Sequence, residues 1–107
     1  MMWKMFSDYE KISKSLKVIS DPKRLEILDM LSCGELCACE ILEKFDITQL
    51  TLSHDMKKLE SADLIESRKI GKNTYYSLKT ENLDKLTKIL ELIFSAKNNC
   101  ICHIDNN

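Results

Sequence analysis

Cys37 and Cys39 stand one residue apart and are the first side chains in this sequence whose types and spacing could do chemistry together. Thiolates are soft donors, suited to arsenite, Cd, Pb, Cu(I) or Zn. Spacing limits where the two can cooperate. In a regular helix, residues two apart are rotated by roughly 200° and cannot share a ligand. In extended backbone, side chains two apart lie on one side. Cys37 and Cys39 can therefore hold one ion only where a helix begins or frays, and Gly34-Glu35-Leu36 before them places such a beginning there. Arsenite takes a pyramidal donor set, so a third ligand would come from Cys33, or from Cys100 or Cys102 in the tail, of the same chain or of a partner. A single Cys is often just a small buried residue. A Cys-x-Cys with three further thiols in 107 residues argues instead for ligation, with disulfide formation as the redox alternative. No Cys-x-x-Cys occurs, so four-Cys zinc-finger spacing is absent.

A second set of residues is suited to hydrogen bonding and charge. Gln49, Thr51, Ser53, His54 and Lys57, with Lys58 at the edge, share the outer face of one helical stretch. Gln, Ser and Thr can read base edges in a major groove, and Lys can anchor phosphate. Arg68, Lys69 and Lys72 follow in a short cationic hairpin. Each of these alone is an ordinary solvated side chain, and the order of the elements carries the reading. His54 has no second His or carboxylate constellation beside it, so a DNA-contact or surface role fits it better than metal ligation.

The elements that must position these groups are legible from periodicity. Phe6, Tyr9, Ile12, Leu16 and Ile19 have helical spacing. Asp21-Pro22 starts a second helix, with Asp as N-cap and Pro at the first helical position; Leu25, Ile27, Leu28, Met30 and Leu31 fill it, and Ser32-Cys33-Gly34 stops it. A short third helix is expected from about Ala38 to Phe45. After the break Asp46-Ile47-Thr48, Thr48 caps a fourth helix from Gln49 to about Ser61, whose inward positions are Leu52, Met56 and Leu59. Helix, tight break, helix is the pattern of a helix-turn-helix. Leu64 to Ile70, Gly71-Lys72-Asn73 and Thr74 to Leu78 read as a β-hairpin, hence a wing. A last helix from about Glu81 to Lys97 carries a wide stripe of Leu83, Leu86, Ile89, Leu90, Ile93 and Phe94. With the similar first helix, it predicts a homodimer interface.

The expected fold is mainly α with a small β-hairpin: a winged helix-turn-helix over residues 1–97, followed by a flexible Cys-containing tail, 98–107. Only two Gly and one Pro occur, consistent with short connections. The net charge of −1 does not mark a nucleic-acid binder, but residues 26–46 are net negative and residues 47–79 net positive, which suits a protein that meets phosphate on one face. The N-terminal apolar stretch is broken by Lys4, Ser7 and Asp8, so no signal peptide is expected, and no apolar run is long enough to span a bilayer. The chain is expected to be cytoplasmic, with reduced thiols. No nucleophile–base pair, Gly-rich phosphate loop or paired-carboxylate pocket can be placed, so an enzyme is not expected.

Four stretches in order resemble the ArsR/SmtB family of metalloregulatory repressors. Glu35-Leu-Cys-Ala-Cys-Glu-Ile41 resembles that family's Glu-Leu-Cys-Val-Cys-Asp-Leu box, and Ile47-Thr-Gln-Leu-Thr-Leu-Ser-His-Asp-Met-Lys57 its recognition helix. Asp21-Pro-Lys-Arg-Leu-Glu-Ile-Leu28 resembles its second-helix signature, and Gly71-Lys-Asn-Thr-Tyr-Tyr-Ser-Leu78 its wing. The resemblance covers about residues 10 to 95. It implies a homodimer that represses an operon on a double-stranded DNA operator and leaves when an inducer binds, with Cys37 and Cys39 as inducer ligands and Gln49, Thr51, Ser53 and His54 on the DNA-reading helix. Arsenite is the inducer it points to, with Cd, Pb or antimonite as alternatives. Departures are visible. The third Cys of the arsenic-responsive type is Leu42 here. The N-terminal Cys of the cadmium/lead type is missing. The last helix has no His for the zinc type. Asp55 replaces a His of the recognition helix, which predicts a negative charge near phosphate. A redox-sensing repressor and a winged-helix module that binds protein rather than DNA are the other classes the sequence admits.

Overall fold

The computed structural model describes residues 6–95 and shows five helices and one small sheet: α1 (Phe6–Ile19), α2 (Pro22–Leu31), β1 (Leu36–Cys37), α3 (Ala38–Lys44), α4 (Gln49–Ser61), β2 (Ile65–Ile70), β3 (Asn73–Leu78) and α5 (Thr80–Phe94). The winged helix-turn-helix follows the expected order, with one addition: β1 joins the hairpin to make a three-stranded antiparallel sheet ordered β1-β3-β2. Leu36 pairs with Tyr76 and Cys37 with Tyr75. The expected tail, 98–107, with Cys100 and Cys102, lies outside the described residues.

Local chemistry sets the helix ends. The Asp21 carboxylate accepts from the Arg24 backbone N–H, and Pro22 opens α2 with its fixed φ. Thr48 Oγ1 accepts from Thr51 N–H at 3.1 Å and so caps α4. At the other end of α4, Leu64 N–H reaches Leu59 carbonyl and Asp63 N–H reaches Glu60 carbonyl, which is the Schellman arrangement. It puts Asp63 at φ +64, a left-handed position where Gly is usual. Lys79 Nζ donates to Asp63 Oδ1 at 2.8 Å and Asn82 Nδ2 donates to the Asp63 carbonyl, so side chains from the start of α5 hold the unfavourable turn in place. In the wing, Gly71 takes φ +63 at the first of two turn positions between Ile70 and Asn73.

The core joins Ile27 and Leu31 of α2, Ile41 of α3, Leu52, Met56 and Leu59 of α4, and Leu64, Ile65 and Tyr76 of the wing. Burial pushes the Tyr76 phenol above its ordinary pKa. One expected filler of α2 is not in the core: Leu25 is 52% exposed, because the face of α2 that meets α4 is set by Ile27 and Leu31. The outer helices are incompletely covered. Nothing in α5 is buried, and Leu92, Ile93 and Phe94 are exposed, as are Tyr9 and Leu16 of α1.

The Lys79 ammonium holds the Asp63 carboxyl below its ordinary pKa. A depressed carboxyl pKa stabilises the fold above the unfolded value, and that help disappears as pH falls through the folded value. Asp63→Gly removes the left-handed strain together with the ion pair. The melting temperature of Asp63→Gly should therefore gain on the wild type as pH is lowered from 7 to below 4. A difference that stays flat with pH would show that the pair does not hold the turn.

Candidate thiol site and DNA-reading face

Cys37 belongs to two elements at once. It is the last residue of β1 and the N-cap of α3, with φ −76° and ψ 149°. Its backbone N–H donates to Glu40 Oε1 at 2.8 Å, and its sulfur accepts from the Cys39 backbone N–H at 3.4 Å. This is a capping box with sulfur where Ser or Thr is usual. Because Cys37 is extended and Cys39 lies in the first helical turn, the two side chains converge. The Cys39 thiol donates to Cys37 Sγ, with the sulfurs 2.7 Å apart. Cys37 is buried and Cys39 exposed, so the pair is open to solvent from one side. The hydrogen bond to Cys37 raises the Cys39 pKa above the ordinary thiol range, with desolvation acting in the same sense.

Cys33 is exposed in the turn after α2. Among the described residues no group of three or more His, Cys, Asp or Glu side chains is gathered to hold a metal ion, so Cys33 is not brought to the pair. The donors present fit a soft, thiophilic ligand with two positions supplied by Cys37 and Cys39.

On α4, Gln49, Ser53, His54, Lys57 and Lys58 are exposed and Thr51 is half-buried. The Thr51 hydroxyl accepts from Thr48 Oγ1 at 3.0 Å, which ties it to the cap. Leu50 is 81% exposed beside Gln49. Spacing put Leu50 on neither the apolar stripe nor the polar face. An exposed apolar side chain in the first turn of such a helix has the chemistry to meet a thymine methyl. On the wing, Lys69 and Lys72 are exposed, whereas Arg68 is engaged: its Nε and Nη2 donate to the two oxygens of Glu35, both at 2.7 Å.

The sequence profile described as "Bacterial regulatory protein, arsR family" matches residues 21–67. The arsenical resistance operon repressor of Staphylococcus xylosus is 50% identical over 94 residues, covering 88% of this chain and 90% of that one. The chain belongs to the ArsR family. Among solved structures, HlyU from Vibrio cholerae superposes with a TM-score of 0.71 at 26% identity, over 84% of this chain and 98% of that one. A homodimeric winged helix-turn-helix DNA-binding domain from Mycobacterium bovis, a possible ArsR-family regulator, gives 0.68 at 25% identity, with 81% of each chain covered.

One residue of this ArsR-family recognition helix sits where the sequence did not put it. Asp55 was expected near phosphate, yet it is turned inward and only 4% exposed. The reason is spacing: Leu52, Asp55, Met56 and Leu59 fall at i, i+3, i+4 and i+7, one face of the helix. Asp55 Oδ1 accepts from Arg24 Nη1 at 3.0 Å, and Lys23 Nζ lies 2.9 Å from Oδ2. Arg24 Nε also donates to the Val18 carbonyl at 2.6 Å. One guanidinium therefore ties the end of α1 and the start of α2 to the middle of α4, and the DNA-reading face carries no acid at position 55. The inward stripe was readable from spacing; Arg24, 31 positions away along the chain, was not readable as its partner.

Asp55→Ala would leave Arg24 facing the interior without its carboxylate. Breaking one side of a buried pair costs about 3 kcal/mol or more. Denaturant unfolding at fixed protein concentration should show a loss of that order. A loss under roughly 0.5 kcal/mol, the size of an ordinary surface substitution, would mean the pair does not hold α4.

Proposed function

We propose that this ArsR-family protein is a transcriptional repressor that binds operator DNA as a homodimer and releases it when Cys37 and Cys39 bind arsenite. The observation that carries the reading is the pair of converging thiols, 2.7 Å apart, at the start of the first helix of the helix-turn-helix. The identity with an arsenical resistance operon repressor supports arsenite over cadmium, lead or antimonite as the inducer. The protein is not an enzyme, and it acts in the cytoplasm, where thiols stay reduced. No described helix is long and apolar enough to cross a membrane.

The dimer forms through α1 and α5, whose exposed apolar side chains include Leu16, Leu92, Ile93 and Phe94. Exposed apolar faces on two helices would be covered in such a dimer. Two-fold symmetry then sets two copies of α4 about one DNA turn apart, roughly 34 Å, on a near-palindromic site. Gln49, Thr51, Ser53 and His54 read bases, Lys57 and Lys58 anchor phosphate, and Arg68, Lys69 and Lys72 belong to the wing that flanks the groove.

Induction is an exchange of ligands. Each thiol replaces one hydroxyl of arsenous acid, its proton leaving with that hydroxyl as water, and no electron is transferred. Cys37 then gives up its role as acceptor of the Cys39 N–H. The first turn of α3 loses its cap, and the packing of Ile41 against the α4 side chains of the core is disturbed. Ligand and DNA oppose each other through linkage, typically by ~1–3 kcal/mol.

The same 2.7 Å contact also suits a redox sensor, in which an oxidant such as peroxide takes two electrons and two protons to join the sulfurs. Fluorescence anisotropy on DNA from the gene's own upstream region separates the readings. Arsenite should release the reduced wild type and leave Cys37→Ser and Cys39→Ser bound. Release of both variants by arsenite would overturn the assignment, and release by peroxide alone would favour the redox sensor. Lys57→Gln should weaken binding to all sequences alike and lower the slope of log K against log salt by about 2 per dimer, one phosphate contact per protomer. An unchanged slope would remove Lys57 from the interface.

A further inference from the structure

Glu35 and Arg68 lie outside the thiol pair, yet they close a ring of contacts around it. Cys37 pairs with Tyr75 across β1 and β3. Tyr75 pairs with Arg68 across β3 and β2, and the Arg68 guanidinium sits 5.9 Å from the centre of the Tyr75 ring. Arg68 returns to Glu35 through two hydrogen bonds of 2.7 Å, and Glu35 is two residues before Cys37. The circuit runs Cys37, Tyr75, Arg68, Glu35 and back along the chain to Cys37. The backbone of α3 also lies beside β3 and β1.

From this circuit we infer that Glu35 and Arg68 are positioning residues that carry the state of the thiol pair to the wing. The wing is then a second output of the inducer site, beside the recognition helix. The inference rests on the reading of Cys37 and Cys39 as inducer ligands and names how that site is coupled to DNA.

Cys37 cannot move without disturbing a strand. β1 is only two residues long, so its ladder with β3 has little else to hold it. The Glu35–Arg68 fork is the side-chain clamp over that ladder. An exposed ion pair contributes little to global stability. Its geometry still matters locally, because a planar bidentate fork fixes direction as well as distance. When Cys37 leaves its extended, capping geometry, Glu35 is drawn with it. Arg68 either follows and tilts β2 or is released, and in both cases Lys69 and Lys72 on the wing change place relative to the groove.

Glu35→Gln tests this in the full-length dimer, since Glu35 lies off α4 and its side chain bonds to Arg68 rather than to sulfur. Three quantities are measured on wild type and variant: arsenic bound per protomer by equilibrium dialysis, operator affinity without arsenite, and operator affinity with saturating arsenite. Hydrogen exchange of amides 65–78 is followed with and without arsenite. The expected result is that Glu35→Gln binds arsenite as the wild type does and binds the operator within about threefold of it. The arsenite-induced drop in operator affinity should shrink at least ~5-fold, a sizeable part of a typical allosteric factor. Arsenite should speed exchange of the wing amides in the wild type. Arg68→Lys keeps the charge, loses the fork, and should shrink the arsenite-induced drop in the same way. An equal drop in wild type and Glu35→Gln, or wing exchange that ignores arsenite in the wild type, overturns the wing coupling while leaving the thiol sensor standing. A wild type whose operator affinity ignores arsenite overturns both.

Discussion

A carboxylate buried in the middle of the recognition helix constrains everything built around it. The Asp55 carboxylate needs partners there, because an unpaired buried charge costs several kcal/mol. Arg24 and Lys23 supply the partners, and both sit at the first turn of α2, where Asp21 and Pro22 leave the backbone little freedom. The orientation of α4 is therefore referred to the corner between α1 and α2 rather than to the short loop that precedes it. That corner also fixes which residues of α4 look outward. With Asp55 inside, Gln49, Ser53, His54 and Lys57 face solvent without an acid among them, in a protein whose net charge is −1.

The thiol pair reaches the same core through α3. Ile41 of α3 belongs to the same buried cluster as Leu52 and Met56 of α4 and Tyr76 of β3, so the helix that carries Cys39 shares a core with both the reading helix and the wing. The helix-turn-helix is thus held by polar contacts on one side and by a cysteine-capped helix end on the other. Only the second is chemically reactive. On the proposed reading, a ligand acting there would push on α4, whose other anchor is the Arg24–Asp55 pair.

Much of this was readable in the sequence. Caps and apolar periods placed α1, α2 and α4, because Asp21-Pro22 and Thr48 are strong local signals and the helices are long enough to show their stripe. The convergence of Cys37 and Cys39 followed from their position at a helix start. β1 was not legible. Two residues show no period, and their pairing with Tyr75 and Tyr76 depends on contacts almost forty positions away. Asp55 differs from its expected place because its position on the Leu52–Met56–Leu59 stripe, and not its residue type, decides which way it faces. Leu25 was misassigned because an apolar residue type says nothing about which face of a short helix is covered. Glu35 carries no signal of its own: its bond to Arg68 exists only once the sheet has formed.

The sulfur that caps α3 also has a bearing on time. Sulfur is a weak hydrogen-bond acceptor, and its bond to the Cys39 amide is 3.4 Å long. A hydroxyl in that place would close the helix end more firmly, as the N-cap preference for Ser and Thr reflects. Where α2 and α4 are capped through oxygen, the first turn of α3 opens by breaking this longer sulfur bond. Each opening frees the buried Cys37 sulfur for an instant. If the inducer enters at Cys37 as proposed, how fast the protein answers a rising concentration is set by the fraying of one helix end, separately from how tightly the inducer is finally held.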